Sequence, residues 1–218
     1  MLVWESATDE VKDAYLGAAH GSAGIAMSLT VWGRVTSCAR ALELAHDTFL
    51  RLFQNGRTSD QRELLHKLDS EEGTNCATWC HGSAGYLWCM LQAFGDHASL
   101  RAPIDWAVRA LLDVPLLANP GYCHGMAGQL DLWNMLACYP RLAEIAKPRA
   151  ALAAQLLEHL GFRADNAWAW PADKPDQIRP DLWTGTLGPA CAIGLFERGQ
   201  GDTLFSVETL ARIFAPKS

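Results

Sequence analysis

Long apolar runs and clusters of basic residues are both absent from this sequence. No stretch of about 18 uncharged apolar residues occurs, as a membrane-crossing helix would need. The first residues, Met1-Leu-Val-Trp-Glu-Ser6, also lack the basic and apolar regions of a secretory signal. We therefore expect no integral membrane segment and a cytoplasmic location.

Basic residues are too few and too scattered for a nucleic-acid-binding surface. The 218 residues contain 18 Lys and Arg against 24 Asp and Glu, a formal net charge of −6. No Lys/Arg cluster follows one helix face, as a protein that binds a phosphate backbone needs. Because half of the residues are hydrophobic and only 19% are charged, we expect a folded protein with a substantial core and no nucleic-acid partner.

The seven cysteines are an odd number, and several lie inside patterned apolar segments. This usage indicates free thiols in a reducing compartment rather than a disulfide framework. Four of them are interpreted as small buried hydrophobic residues: Cys38, Cys89, Cys138 and Cys191. Cys80 and Cys123 need another explanation, because each directly precedes a repeated motif.

Four related five-residue motifs recur along the chain. Their final glycines are separated by 61, 43 and 60 residues, which leaves room for a helix, a connection and a second helix in each unit. About ten to twelve mostly apolar residues follow each motif, so each motif predicts the start of a buried inner helix. The motifs are His20-Gly-Ser-Ala-Gly24, His81-Gly-Ser-Ala-Gly85, His124-Gly-Met-Ala-Gly128 and Thr184-Gly-Thr-Leu-Gly188.

More amphipathic segments between the motifs predict outer helices. These helices are expected at 35–54, 60–68, 102–112 and 142–160, and loops at 55–59, 70–79, 117–122 and 161–183. The alternation predicts an all-α fold, a partial α/α toroid of about four helix-pair units. In the motifs, the first glycine is expected to permit a sharp turn into the helix and the second a close approach of a neighbour.

Such a toroid gathers the amino ends of its inner helices on one face. The residues just before these helices then share one neighbourhood. A helix amino terminus favours negative charge, so a thiolate at this position is stabilised. The gathered residues are His20, Cys80, His81, Cys123 and His124.

The motifs in their order resemble those of the lanthionine synthetase C-like (LanC-like) cyclases. Four segments carry the resemblance. In chain order they are Ala19-His20-Gly21, Trp79-Cys80-His81-Gly82, Tyr122-Cys123-His124-Gly125 and the motif that begins at Thr184. It implies a zinc ion held by Cys80, Cys123 and His124. Two thiolates and one imidazole suit zinc, and three protein ligands leave the fourth tetrahedral position open. A structural site with His81 as fourth ligand, or buried thiols without a metal, are the alternatives.

The resemblance also implies a reaction. LanC-like cyclases bind the thiol of a peptide cysteine at the open zinc position, and the thiolate adds to a dehydroalanine or dehydrobutyrine of the same peptide. A thioether ring results, and the enolate formed on the way must be protonated. His20 occupies the position of the family's acid/base histidine, with a capping or core role as the alternative. His81 is the candidate to orient the thiolate or to protonate the enolate.

The remaining polar candidates are interpreted as structural. Asp181 and Thr184 are expected to stabilise the start of the last inner helix. The other histidines lie on amphipathic or loop segments and are interpreted as surface residues: His46, His66, His97 and His159.

Two departures from the family pattern bear on function. Some members carry an Arg four residues before the first zinc cysteine, where this chain has Cys76, which is also a rival metal ligand. A complete member has more helix-pair units than the four motifs seen here. Residues 1–218 are therefore interpreted as a single LanC-like cyclase domain or its carboxy-terminal portion.

Two functions of different classes follow. The first is a zinc-dependent cyclase of lanthipeptide biosynthesis, acting on a dehydrated precursor peptide. The second is a non-cyclising module that binds zinc and thiols or peptides, adding glutathione or presenting substrate to a partner. A sugar-processing α/α toroid is disfavoured, because no paired carboxylates accompany the motifs.

The small number of helix-pair units leads us to expect a partner. A toroid of four units leaves the inner helices that begin near Ala23 and Leu187 without neighbours, and each would expose apolar surface. We expect this surface to be covered by self-association, by a partner chain or by a dehydratase or kinase domain.

Overall fold

Helices dominate the computed structural model of the chain, which describes residues 6–8, 11–68, 70, 73, 77–164, 166–199 and 201–214. A short 3-10 helix at Ala98–Leu100 leads into the fourth α-helix. No helix within these ranges is long and apolar enough to cross a membrane. The helices are α1 (Ser22–Thr36), α2 (Ala39–Asn55), α3 (Ser83–Phe94), α4 (Arg101–Leu112), α5 (Met126–Leu136), α6 (Ala143–Leu160), α7 (Leu187–Arg198) and α8 (Val207–Phe214).

In the described part of the chain, two antiparallel hairpins of three-residue strands accompany the helices. β1 (Ser6–Thr8) pairs with β2 (Val11–Asp13), with Ser6 opposite Asp13. β3 (Phe162–Ala164) pairs with β4 (Ala167–Ala169), with Phe162 opposite Ala169. The mostly helical fold agrees with the all-α prediction, whereas neither hairpin was predicted.

The helices divide between two compact units. The first unit comprises residues 1–114 and 205–218, and the second comprises residues 115–204. In the first unit, α1 packs against α2, α3 and α8, and α3 packs against α4. In the second unit, α5 packs against both α6 and α7.

The helices that follow the second and third motifs form the cores of the two units. Every residue of α5 is buried, and so is every residue of α3 except the last. Two polar groups on these helices have buried partners: the Tyr86 hydroxyl donates to the Phe49 carbonyl at 2.8 Å, and Asp131 Oδ2 accepts from the Tyr122 hydroxyl at 2.7 Å. Burial strongly raises the pKa of the Tyr86 hydroxyl. The prediction of largely buried helices is confirmed for these two motifs. It is wrong for the first and fourth motifs, because most residues of α1 and α7 are not buried.

Three of the four predicted outer helices are present as α2, α4 and α6. The prediction of a helix over residues 60–68 is wrong. The Thr58 hydroxyl donates to Asp60 Oδ1 at 2.6 Å, and the same oxygen accepts from the Arg62 backbone N–H at 3.1 Å. These local bonds compete with helix formation and lower the pKa of Asp60, with Thr58 as the main cause. The segment is irregular instead, with isolated bridges at Leu64 and Leu65.

The two glycines of the motifs act through close contact rather than through unusual backbone angles. The first glycine of the first three motifs has φ of −136°, −84° and −137°. These negative values are open to other residues, so the turns do not need the conformational freedom of glycine that was expected. An added Cβ at Gly21 would lie 2.5 Å from the Gly17 nitrogen. An added Cβ at Gly188 would lie 2.5 Å from the Leu182 carbonyl oxygen and 3.0 Å from Tyr122 Cβ. The close approach predicted for the second glycine is therefore confirmed at Gly188.

Helix α8 was not predicted, and it packs against α1 in the first unit. The backbone N–H of buried Val207 donates to Gln92 Oε1 at 3.2 Å, and Arg34 forms an ion pair with Glu208 at 2.8 Å. α8 therefore covers part of the α1 surface that was expected to be exposed. Trp32 of α1 is still 59% exposed and Leu187 of α7 is 47% exposed, so the expected partner remains a prediction.

Asp181 organises the turn that precedes α7, as its predicted structural role requires. Its Oδ1 accepts from the backbone N–H groups of Trp183 at 3.0 Å and Thr184 at 2.8 Å. Hydrogen bonds to the ionised carboxylate, led by the one from the Thr184 backbone, lower the pKa of Asp181.

This lowered pKa predicts how Asp181 contributes to stability. The contribution is present above the unfolded-state pKa of about 3.9 and is lost as the pH falls through the lower folded-state pKa. We expect Asp181→Ala to lower the free energy of unfolding by about 1 kcal/mol at pH 7. The difference in the free energy of unfolding between Asp181→Ala and the wild type should become smaller as the pH is lowered from 5 towards 3. Urea unfolding across this range measures the effect, with Asp176→Ala as the control, and a pH-independent difference would contradict it.

Candidate metal centre

Cys80 and His81 lie in the turn just before α3, in the first unit. Cys80 is buried and His81 is half-buried. The Cys80 carbonyl accepts a hydrogen bond from the Ala19 backbone N–H at 2.9 Å, which joins this turn to the first motif. Gly17 lies against the same turn, where an added Cβ would be 2.5 Å from the Cys80 oxygen and from His81 Cα. The first two motifs are thus in direct backbone contact.

Three histidines and a tyrosine gather beside Cys80. The His20 and His81 rings are 5.4 Å apart, so two predicted catalytic residues are neighbours. The His66 ring meets the His81 ring edge-on at 4.4 Å and lies 5.2 Å from the Tyr15 ring. His20 is exposed, and its ring therefore lies at the outer side of the group.

His66 was interpreted as a surface residue, and this interpretation is wrong. The residue is half-buried, and its Nε2 has no hydrogen-bond partner among the described residues. Its position depends on the bridge between Tyr15 and Lys67, which no local sequence pattern indicates. His46 is also half-buried, with Nε2 2.6 Å from Ser99 Oγ. Two further histidines are exposed as predicted: His97 and His159.

Cys123 and His124 lie in the turn before α5, in the second unit. Both are half-buried. The Trp183 carbonyl accepts hydrogen bonds from the backbone N–H groups of Tyr122 at 2.9 Å and Cys123 at 2.8 Å, which joins the third motif to the fourth. His124 Nε2 lies 2.9 Å from Asp173 Oδ1. The turn that carries the two residues is therefore held by backbone and side-chain bonds.

The three predicted zinc ligands come from both units: Cys80 from the first, and Cys123 and His124 from the second. Two sulfur atoms and one imidazole nitrogen are a donor set that suits zinc. With three protein donors, a tetrahedral ion would keep one position for a further ligand.

The other cysteines have varied surroundings. Cys89 of α3 is buried as predicted, and burial strongly raises the pKa of its thiol. Cys38 and Cys191 are half-buried, and all six described cysteines are free thiols. The prediction for Cys138 is wrong: the residue is exposed because α5 ends at Leu136 and does not carry it into the core. Cys76, the rival ligand, lies outside the described residues.

Comparison with protein families identifies the chain. The model of the family described as lanthionine synthetase C-like protein matches residues 2–193. The chain belongs to the lanthionine synthetase C-like family. This finding confirms the resemblance drawn from the motifs, and the matched range includes all four of them.

Comparison with solved structures shows that this LanC-like chain has the fold of a known cyclase. A structure named nisin cyclase matches with a TM-score of 0.62 and 17% sequence identity, over 92% of this chain and 50% of that one. The LanC-like chain thus spans about half the length of nisin cyclase. The comparison with curated proteins finds no match.

The contact at Gly17 generates a testable prediction for this LanC-like chain. Gly17→Ala places a methyl group against the Cys80–His81 backbone, so we expect the free energy of unfolding to fall by about 1–3 kcal/mol, the usual cost of overpacking. Gly194→Ala is the matched control, because nothing lies within 4 Å of an added Cβ there. In the middle of α7 that change should stabilise by about 0.5–1 kcal/mol. Equal unfolding midpoints in urea for the two variants would contradict the close approach at Gly17.

Proposed function

We propose that this chain is a zinc-dependent lanthionine synthetase (cyclase), or part of one, that forms thioether rings in lanthipeptide biosynthesis. Its substrate is a dehydrated precursor peptide, in which a cysteine thiolate adds to a dehydroalanine or dehydrobutyrine. The observation that carries the proposal is the family match, whose range includes the motifs that contain Cys80, Cys123 and His124.

Cys80, Cys123 and His124 would hold the zinc ion. When bound, zinc offers its remaining position to the peptide thiol and lowers the thiol pKa from about 8.5, so that the thiolate forms at neutral pH. The Cys123 backbone N–H is bonded to the Trp183 carbonyl, and the Cys80 carbonyl to the Ala19 N–H. Both cysteines are thus held before any ligand arrives, which reduces the ordering that binding requires.

In the reaction, the thiolate sulfur forms a bond with the β-carbon of the dehydrated residue. The electron pair of the carbon–carbon double bond moves to the adjoining carbonyl and gives an enolate, which must gain a proton at the α-carbon. We assign His20 as the donor of this proton. The proton lost by the thiol and the proton gained by the α-carbon balance, so the addition needs no further reactant.

The surroundings of His20 support this assignment. The side chain is exposed, so a peptide can reach it, and its ring lies 5.4 Å from that of His81. His81 follows Cys80 directly and is packed against the His66 ring. We assign to His81 the secondary role of orienting the thiolate or of supplying the proton in place of His20.

The finer features of the fold are part of the same proposal. We assign α1, α3, α5 and α7 as inner helices of a partial α/α toroid, and α2, α4 and α6 as outer helices. Residues 1–218 then form a LanC-like cyclase domain or its carboxy-terminal portion. The match to half of the nisin cyclase chain supports this assignment. Self-association, a partner chain or a dehydratase or kinase domain would complete it.

A non-cyclising zinc-binding and thiol- or peptide-binding module is the second candidate. Cys76 favours it, because this residue stands where some family members have Arg. Such a module would bind zinc and peptide, adding glutathione or presenting substrate, but would close no ring.

Zinc content tests the metal part of the proposal. We expect about one zinc per chain in protein purified without chelator, because three donors form a nearly complete tetrahedral set. Cys123→Ala should lose most of the zinc, whereas Cys138→Ala, at an exposed thiol, should retain it. Elemental analysis measures both, and a wild-type content far below half an equivalent would refute zinc dependence.

The role of His20 is tested separately from metal binding. We expect His20→Asn to keep its zinc and its affinity for a dehydrated peptide but to lose ring formation by about 10²-fold or more, the usual scale of acid/base catalysis. Thiol alkylation followed by mass spectrometry measures ring closure, with exposed His97→Asn as control. Unchanged ring formation would reassign the proton donor, and loss of zinc would show that His20 supports the metal. Peptide binding without ring closure in the wild type would favour the non-cyclising module.

A further inference from the structure

The imidazole of His124 is engaged at one of its two nitrogens by a carboxylate from a distant loop. Its Nε2 lies 2.9 Å from Asp173 Oδ1, and the two side chains are 39% and 41% exposed. An ionised carboxylate only accepts hydrogen bonds, so Nε2 carries the proton in this contact. In the neutral imidazole, Nδ1 then carries the lone pair, and only a nitrogen with a free lone pair can bind a metal.

Asp173 is itself held against the turn that carries His124. Asn119 Nδ2 donates to the same Oδ1 atom at 3.0 Å. Asn119 Oδ1 accepts from the Gly121 N–H at 2.7 Å, and the Asn119 carbonyl accepts from the Met126 N–H, also at 2.7 Å. Because Met126 is the first residue of α5, Asn119 connects Asp173 to the start of the helix that follows His124.

The loop that carries Asp173 is anchored in the core of the second unit. Trp170 is buried, and its Nε1 donates to the Leu157 carbonyl of α6 at 2.7 Å. Its backbone N–H and carbonyl both bond to Thr186 Oγ1, at 3.3 and 3.2 Å. Two residues on, the Ala172 N–H donates to the Gln177 carbonyl at 2.7 Å and closes the turn around Asp173. The loop that carries the Asp173 carboxylate is therefore held in place by hydrogen bonds to the core of the second unit.

We propose that Asp173 is a positioning residue for zinc binding: it holds the Nε2–H of His124, so that Nδ1 is the atom offered to the metal. This inference rests on the proposed function, because it concerns one of the three proposed ligands. A carboxylate on the far nitrogen fixes the tautomer and the ring orientation of a ligand histidine and raises its basicity. The same pair contributes little to folding, because both side chains are well exposed to solvent.

Three variants of the full chain test the proposal. Asp173→Ala removes the acceptor, Asp173→Asn keeps an oxygen that can accept the same bond, and Asp176→Ala removes an exposed acid of the same turn. Zinc affinity is measured by competition with a chromophoric chelator. The tautomer of His124 is measured in the metal-free protein by nitrogen-15 NMR of the imidazole, and thermal unfolding of the metal-free variants reports on the fold.

We expect Asp173→Ala to bind zinc about 10- to 100-fold more weakly than Asp176→Ala, the usual loss for such a partner. Asp173→Asn should recover most of the affinity. In the wild type and in Asp173→Asn, His124 should carry its proton on Nε2, and this preference should weaken in Asp173→Ala without a change in the unfolding temperature.

Equal zinc affinities of Asp173→Ala and Asp176→Ala would overturn the positioning role and leave the zinc site of the proposed function intact. A wild-type protein that binds no zinc would overturn both. If Asp173→Ala unfolds at a lower temperature than the wild type, its weaker zinc binding has two possible causes, and the tautomer of His124 in Asp173→Asn decides between them. A His124 that no longer carries its proton on Nε2 in Asp173→Asn would contradict the inference. A His124 that keeps its proton on Nε2 there would support it.

Discussion

Within each unit, the arrangement of the helices depends on close backbone contact between the turns that precede the helices of neighbouring motifs. In the first unit, Gly17 and the Ala19 N–H lie directly against the Cys80–His81 turn. In the second unit, the Trp183 carbonyl accepts from the N–H groups of Tyr122 and Cys123. Such contact leaves no room for side chains, and buried backbone groups need partners of this kind. The residues that we propose as zinc ligands and proton donors therefore lie on turns that backbone hydrogen bonds and close backbone contacts hold in place.

Buried polar side chains of the core helices extend this support to the surrounding loops. Gln92 of α3 accepts from the backbone N–H of Val207 at 3.2 Å. On α5, Gln129 accepts from the Leu117 N–H at 2.9 Å, and Asp131 from the Leu204 N–H at 3.3 Å. An unpaired polar group in these positions would cost about 1–3 kcal/mol. The core helices thus bind specific loop segments through hydrogen bonds, in addition to burying apolar side chains.

The sequence predicts the buried helices α3 and α5 well, because charge is nearly absent from them and a motif precedes each. The motifs that contain Cys80, Cys123 and His124 predict the family, which the family match confirms, and the assignment of these three residues as zinc ligands stays a prediction. Other features depend on contacts between distant residues. His66 reaches His81 through a bridge between Tyr15 and Lys67, and Asp173 reaches His124 through a loop with no recognisable pattern. The three-residue strands β3 and β4 are too short for alternation to be seen.

Zinc K-edge X-ray absorption of the protein, with and without a peptide that contains one free cysteine, tests the central claim most directly. The account predicts two sulfur ligands at about 2.3 Å and two lighter ligands in the protein alone. With the peptide, it predicts three sulfur ligands and one nitrogen. A sulfur count that stays at two when the peptide is bound would contradict thiol activation at the metal. Two imidazole ligands beside the two sulfur ligands in the free protein would identify a structural site with His81 as fourth ligand instead.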